Sequence, residues 1–362
     1  MQVVFIVSLI ALLFAILDST GRQRSGLKIA FVIITVLSCL RYNFGNDYPS
    51  YMKEFLEMGN YSVSSILFHD TFKDKLWFIL QHFLRPIGWV PFVGAISIFS
   101  NVAYYKLIKE YVPRKFYWLG FFIYVFTFDM FVLQQSMIRQ GLVVAIMALV
   151  FMRVDKMKTF NLGQFLLVLL GTACALGIHK SSVVCVPCLL IKFLPLRKRF
   201  IPLILALVFV ALFFLQDSIA QLVINILFSD ELSNYASDYL EEEGRGIGVR
   251  AILEFIPFFV AAWYLWKKDT AEGPRFLIVL SMIATMLYPV TMLNHLMSRL
   301  TYYFSILSMA TIPVTYDRIK NKLLRNALLF LMMAIQMYVY FDRFANPTYK
   351  QAFGVFHTIF SM

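Results

Sequence analysis

Long apolar runs separated by short basic turns repeat along the whole chain. A bilayer's hydrocarbon core, about 30 Å thick, takes roughly 20 apolar residues per helical crossing, and the runs approach that length. They predict crossings near 2–17, 27–41, 90–108, 116–133, 136–152 and 160–177, then near 181–194, 200–222, 249–266, 275–293, 298–316 and 324–341. The segment 72–89 breaks the rhythm, because LWFILQHFLRP is too short to span and Pro86 stops it. It is expected to lie at the interface or to re-enter. The opening run QVVFIVSLIALLFAIL has no basic residue before it and no small-residue cleavage site after it, so it reads as a retained helix with the mature chain starting at Met1. The expected fold is an all-α polytopic membrane protein of about 12 transmembrane helices, with 1–362 forming one integral membrane domain.

Charge orients this picture. Six turns, around 22–28, 106–115, 153–158, 192–199, 267–275 and 318–325, hold 21 of the 33 Lys and Arg residues, and every second turn is one of them. Cytoplasmic turns carry such an excess, so both termini and the two long non-basic connections, near 42–89 and 223–248, are expected outside the cytoplasm. Function is sought in those connections. Composition agrees with the membrane reading, with 60% hydrophobic and 15% charged residues and a mean hydropathy of +0.72. The net charge of +12 is scattered singly through short loops, which excludes a nucleic-acid face. The four cysteines all lie in apolar segments, against a disulfide framework, and the Cys185/Cys188 C-x-x-C lacks the second ligand pair of a metal site. No Walker loop, H-E-x-x-H, G-x-S-x-G or Rossmann context occurs, and neither metal nor cofactor is assigned.

Several polar residues at the expected outer ends of helices need a reason to be there. Arg41 ends the second run, Arg139 opens the fifth, Arg250 begins the ninth and Arg299 the eleventh, with His179 and His295 at the same depth. An arginine at the centre of a spanning helix costs about 2.5–3.5 kcal/mol, so arginines in helices tend to face a polar cavity. Four at one level point to an anion site. Gln135 and Arg139, Arg250 and Glu254, and His295 and Arg299 are i, i+4 pairs, so each pair is expected to share a helix face. Gly244, Gly246 and Gly248 precede the ninth run, and a glycine-rich turn feeding a helix start offers N–H groups to phosphate. The competing reading of any one arginine is a headgroup anchor, and of the glycines a loop re-entering the membrane.

Three stretches carry a resemblance: Arg41-Tyr-Asn-Phe-Gly45-Asn-Asp47-Tyr48-Pro-Ser-Tyr51, Ser136-Met-Ile-Arg139-Gln140 with Ala145, and Gly177-Ile-His179-Lys-Ser181-Ser182. In order and spacing they resemble the EpsG-like family of bacterial polysaccharide polymerases, a Wzy-type group, over about 20–300 of the chain. Ser182 stands where alanine is expected after His-x-Ser. The resemblance implies a GT-C-like helical glycosyltransferase that joins oligosaccharide repeats carried on undecaprenyl diphosphate at the outer face of the plasma membrane. A flippase and a chain-length regulator are the protein partners implied.

On this reading Arg41, Arg139, Arg250 and Arg299 hold diphosphate, since a guanidinium fork stays charged and binds phosphate oxygens in pairs. Asp47 and then His179 are the preferred proton acceptors. Gln140, Tyr48, Glu254 and His295 support them. A glycan ligase shares most of this chemistry. A transporter of lipid-linked sugars would show midplane polar groups and an internal repeat, and a membrane O-acyltransferase would need its histidine on the cytoplasmic side.

Overall fold

The computed structural model describes residues 2–69, 72–159, 161–194, 200–228, 249–267, 274–293 and 295–361. They are helical nearly throughout, and the chain divides into two compact units, Met1–Lys180 with Met337–Met362, and Ser181–Gln336.

In the first unit, α1 (Gln2–Ser19) packs against α2 (Gly26–Leu40). Val4, Ser8, Ala11, Ala15 and Asp18 recur at helical spacing on the buried face of α1, while Ile6, Leu9, Ile10 and Leu13 are exposed. Small residues at the packed face let helices approach, and large apolar ones turned outward suit a lipid solvent. Gly26 marks the closest approach, because a Cβ there would lie 2.1 Å from the Phe14 carbonyl oxygen. Among the described residues, Gln2–Ser19 and Lys322–Ala345 are long and apolar enough to cross a membrane. The rest of the unit's bundle is α6 (Trp89–Tyr111), α7 (Tyr117–Phe126), α8 (Val132–Ser136), α9 (Ile138–Lys156) and α10 (Leu162–Ile178). Every residue of α7 from Leu119 to Phe126 is buried, and α9 packs on both α6 and α10. A helix apolar on all sides belongs inside a bundle.

Polar contacts tie one end of this unit together. Arg114 Nε meets Asp18 Oδ1 at 2.9 Å, the Leu27 N–H donates to Asp18 Oδ2 at 3.0 Å, Lys156 pairs with Glu110, and the Tyr111 hydroxyl donates to the Met152 carbonyl at 3.2 Å. The first three basic turns therefore meet, as their alternation along the chain requires. α2 leads away from that end to Arg41, while α6 and α9 arrive there from Trp89 and Ile138.

The connection 42–89 folds into α3 (Tyr48–Glu57), α4 (Val63–Phe68), α5 (Lys75–Leu84) and a 3-10 turn, Arg85–Ile87, that contains Pro86. α5 is about 15 Å long at 1.5 Å per residue, half a hydrocarbon core, as expected of a segment that does not span. Glu54 of α3 accepts hydrogen bonds from Trp77 Nε1 (2.7 Å) and Gln81, fixing α5 to α3. Residues 357–358 return as β2 (His357–Thr358), antiparallel to β1 (Arg41–Tyr42), and Phe353 meets Phe44 edge-on at 5.1 Å.

Several predicted crossings are not single helices. The run 116–133 divides after Phe126 into α7, a turn and α8. The run 181–194 is a 3-10 turn, a five-residue helix (Cys185–Leu189) and a second 3-10 turn, with Pro187 unable to donate an N–H. The run 275–293 divides into Arg275–Met286 and Tyr288–Leu293, and 298–316 falls within His295–Ser305 and Ser308–Asp317. Apolar composition reports where a segment lives, and not whether its backbone is continuous. The connection predicted to open at 223 begins later, since Ile201–Phe228 is one helix, and residues 229–248, with Gly244, Gly246 and Gly248, lie outside the described residues.

In the second unit, Ile201–Phe228 packs on Arg275–Met286 and Tyr288–Leu293. Val249–Trp266 packs on Arg275–Met286 and Ser308–Asp317. Tyr303, Phe304, Ile306, Leu307 and Met309 are fully buried, and Ser181 Oγ lies 2.8 Å from the Tyr303 hydroxyl.

Candidate functional site

Two of the motif stretches meet through a glycine. Gly45 has φ +102°, in the region that side chains other than glycine's rarely enter, and a Cβ on it would sit 2.3 Å from Ser136 Cβ. That approach lets the Asp47 N–H donate to Ser136 Oγ at 3.0 Å, so the Arg41–Tyr51 stretch is held on the Ser136–Gln140 stretch. The Gly45 N–H donates to the Ala352 carbonyl at 3.0 Å, which adds the C-terminal segment.

The third stretch arrives by a second close approach. A Cβ on Gly177 would lie 2.9 Å from Leu76 Cβ, so the end of α10 lies against the start of α5. There the Lys180 N–H donates to Asp74 Oδ1 at 3.2 Å, Arg139 Nη1 lies 3.0 Å from Asp74 Oδ2, and His179 Nδ1 lies 3.8 Å from the same oxygen. The side chains of Asp74, Arg139 and His179 are 9%, 24% and 13% exposed. In so dry a setting a charge is held by a partner of opposite sign, and Arg139 supplies it. A carboxylate, a guanidinium and an imidazole thus come together from three separate segments.

Asp74 is absent from the residues that the sequence singles out. An aspartate directly ahead of an apolar helix reads as an N-cap, yet its side chain makes no cap hydrogen bond to α5. Its oxygens go instead to Arg139 and the Lys180 N–H. The only local signal is an acid between Lys73 and Lys75 in a connection already expected to carry function.

Arg41 has a different environment. It is 3% exposed; Nε donates to the Gln135 carbonyl at 3.2 Å, and Nη1 donates to Ser97 Oγ at 2.7 Å and to the Ser38 carbonyl. These donors fasten the end of α2 to α6 and α8, the work of a framework residue. A small polar cleft beside it is lined by Ser97, Asn101, Tyr124, Gln134 and Gln135. Tyr48 is buried, stacks edge-on to Trp89 at 5.4 Å and donates to the Arg41 carbonyl at 3.4 Å. Burial pushes its phenol above the ordinary tyrosine pKa, and Arg41 pulls it back.

Asp47 is half-buried ahead of α3, and its carboxylate makes no hydrogen bond or ion pair with the described residues. Gln140 is buried beside Arg139. Gln135 and Arg139 do not share a helix: Met137, at φ −80° and ψ 63°, separates α8 from α9. Arg250 with Glu254, and His295 with Arg299, do each fall within one helix of the second unit, Val249–Trp266 and His295–Ser305. Arg299 is half-buried, and the side chains of Arg250, Glu254 and His295 lie outside the described residues.

Compared with known families, residues 27–353 match the EpsG family, a span that takes in all three motif stretches and most of both units. The chain belongs to the EpsG family. The match runs past the 300 or so that the motifs mark and ends at Phe353, the residue whose ring packs on Phe44. EpsG proteins are associated with polysaccharide biosynthesis in membranes and with glycosyltransferase-type polymerases. No curated protein and no solved structure matches the chain.

Proposed function

We propose that this EpsG protein is a multi-pass enzyme of the bacterial plasma membrane that polymerises oligosaccharide repeats carried on undecaprenyl diphosphate, for an O-antigen, capsule or exopolysaccharide. The observation that carries the reading is the meeting of Arg139 and His179 around Asp74, at the end of the first unit away from its basic turns. If those turns are cytoplasmic, this end faces outward, where lipid-linked repeats are joined.

In the reaction, a hydroxyl on one lipid-linked chain attacks the anomeric carbon of another. The bond from that carbon to the diphosphate oxygen breaks, its electron pair leaves with the diphosphate, and the hydroxyl proton passes to a base. Negative charge grows on the leaving group, so preorganised guanidinium groups lower the barrier. Arg139, Arg250 and Arg299 are assigned that role, with His295 and Glu254 as their neighbours on the helix, and Arg41 the framework beneath. Asp47 and His179 are the proton acceptors to be tested, with Tyr48 and Gln140 supporting.

The test uses purified protein in liposomes with a synthetic polyprenyl-diphosphate-linked repeat unit. A ladder of lengthening glycans with release of polyprenyl diphosphate is expected. Transfer onto a different lipid-linked acceptor without lengthening would make the protein a ligase, and movement of the substrate across the bilayer without bond formation would make it a transporter.

A further inference from the structure

We propose that Asp74 is a positioning residue that commits His179 to be the proton acceptor; this rests on the polymerase reading above. Asp74 Oδ2 lies between Arg139 Nη1 (3.0 Å) and His179 Nδ1 (3.8 Å), while Oδ1 is fixed by the Lys180 N–H (3.2 Å). The carboxylate is thus held at two points before it acts on the imidazole. A distance of 3.8 Å is ion-pair range and longer than a direct hydrogen bond, and such catalytic contacts commonly tighten only when substrate binds. A carboxylate facing Nδ1 favours the tautomer with its proton on Nδ1, which leaves the lone pair on Nε2. Nε2 then takes the proton of the attacking hydroxyl, and the imidazolium so formed lies beside a fixed negative charge. Among the described residues, Asp74 at the start of α5 faces the ring, Arg139 on α9 shares Asp74 Oδ2 with it, and Lys180 is the next residue in the chain.

The arrangement also sets a distance between two tasks. Asp74 binds Arg139 through the same oxygen that faces His179, so a phosphate on Arg139 and a proton acceptor at His179 are held in one register. Asp47, the other candidate for proton acceptor, has no carboxylate or cation against it among the described residues.

The experiment compares Asp74→Asn, Asp74→Glu, His179→Ala and the Asp74→Asn/His179→Ala double variant in liposomes, with the synthetic lipid-linked repeat unit as probe. Turnover at saturating substrate should fall about 100-fold in Asp74→Asn and in His179→Ala, within the range of general-base loss, while binding of the probe stays within about threefold of the parent. The double variant should be no slower than His179→Ala alone, because residues that act through one another are not additive. Asp74→Glu should recover part of the rate. A folded Asp74→Asn with parent turnover, or a double variant showing the product of the two losses, overturns the proposal.

Because Asp74→Asn could fail to fold, the parent protein is also measured directly, by 15N histidine spectra with His179 assigned from a His179→Gln sample. Protonated Nδ1 and unprotonated Nε2 at neutral pH are expected; the opposite tautomer overturns the proposal. Should the parent fail to lengthen the lipid-linked repeat at all, the polymerase reading fails, while the tautomer still tests the role of Asp74.

Discussion

Gly45→Ala should damage the protein beyond what a single methyl ordinarily does. Three costs combine. A side chain at φ +102° costs about 1–2 kcal/mol in backbone strain. The new Cβ would sit 2.3 Å from Ser136 Cβ and 2.5 Å from its Oγ, an overlap worth about 1–3 kcal/mol of forced displacement. That displacement breaks the hydrogen bond from the Asp47 N–H to Ser136 Oγ, for about another 0.5–1.5 kcal/mol. Ser136→Gly alone loses only the hydrogen bond and a little helix propensity. The double variant keeps the backbone strain, the lost hydrogen bond and a residual 2.9 Å approach to Ser136 Cα, but is relieved of the larger overlap with Cβ and Oγ. Its destabilisation should therefore fall short of the sum of the single ones by about 1.5–4 kcal/mol, the relieved overlap plus a hydrogen bond counted twice. Equilibrium unfolding in mixed micelles measures this cycle, and polymer made per unit of membrane-inserted protein follows it in the cell. Additivity within about 0.5 kcal/mol would mean that Gly45 and Ser136 do not touch, and the contact between the first two motif stretches would be wrong.

Arg139→Lys keeps the charge but loses the paired donors, so polymer yield at matched membrane abundance should fall at least about tenfold; parent-length polymer would make Arg139 only the counter-ion of Asp74. Reporters active only outside the cytoplasm should give signal when fused after Asn60 or Met362 and none after Arg114, and the reverse pattern would turn the Asp74 cluster toward the cytoplasm. Phe353→Ala removes a fully buried ring packed against Phe44 and Phe128, at about 3–5 kcal/mol, and should expose the C-terminal segment to added protease; unchanged cleavage would show that the segment is held without that ring.

How much of this was legible depends on whether the cause is local. The α1 helix, expected near 2–17 and found over Gln2–Ser19, was, because its apolar run needs nothing beyond the segment itself. The brevity of α5 was too, since Pro86 marks its end. Breaks inside apolar runs were harder to see: between Phe126 and Val132 the chain turns through Thr127, Phe128, Asp129, Met130 and Phe131, where one acid is the only charge in an otherwise largely apolar stretch. The β1–β2 pairing is two residues long and leaves no periodic trace. Asp74 was hidden for a third reason. A capping aspartate and one that binds an arginine 65 positions away look alike in sequence, and only the Gly177–Leu76 approach and the placing of Arg139 after Met137 bring its partners to it. The glycines were legible as motif members, but their purpose, close backbone approach, belongs to the tertiary structure.

A buried carboxylate beside an arginine is weak evidence of chemistry by itself, because structural ion pairs look the same. The first unit offers its own comparison. At the basic end, Asp18 Oδ1 meets Arg114 at 2.9 Å and Oδ2 accepts the Leu27 N–H at 3.0 Å; at the other end, Asp74 Oδ2 meets Arg139 at 3.0 Å and Oδ1 accepts the Lys180 N–H at 3.2 Å. The two sites are near copies in ligand type. They differ in where they sit and in what stands beside them. Asp18 lies between α1 and α2, where Gly26 closes the packing, and fastens a turn. Asp74 lies outside the helix pair it serves, joining the start of α5 to α9 and to the residue after His179. An imidazole beside the shared oxygen adds a ring nitrogen able to accept a proton, which a fastening pair does not need. That contrast separates Asp18, which fastens two helices, from Asp74, whose proposed role is to position His179.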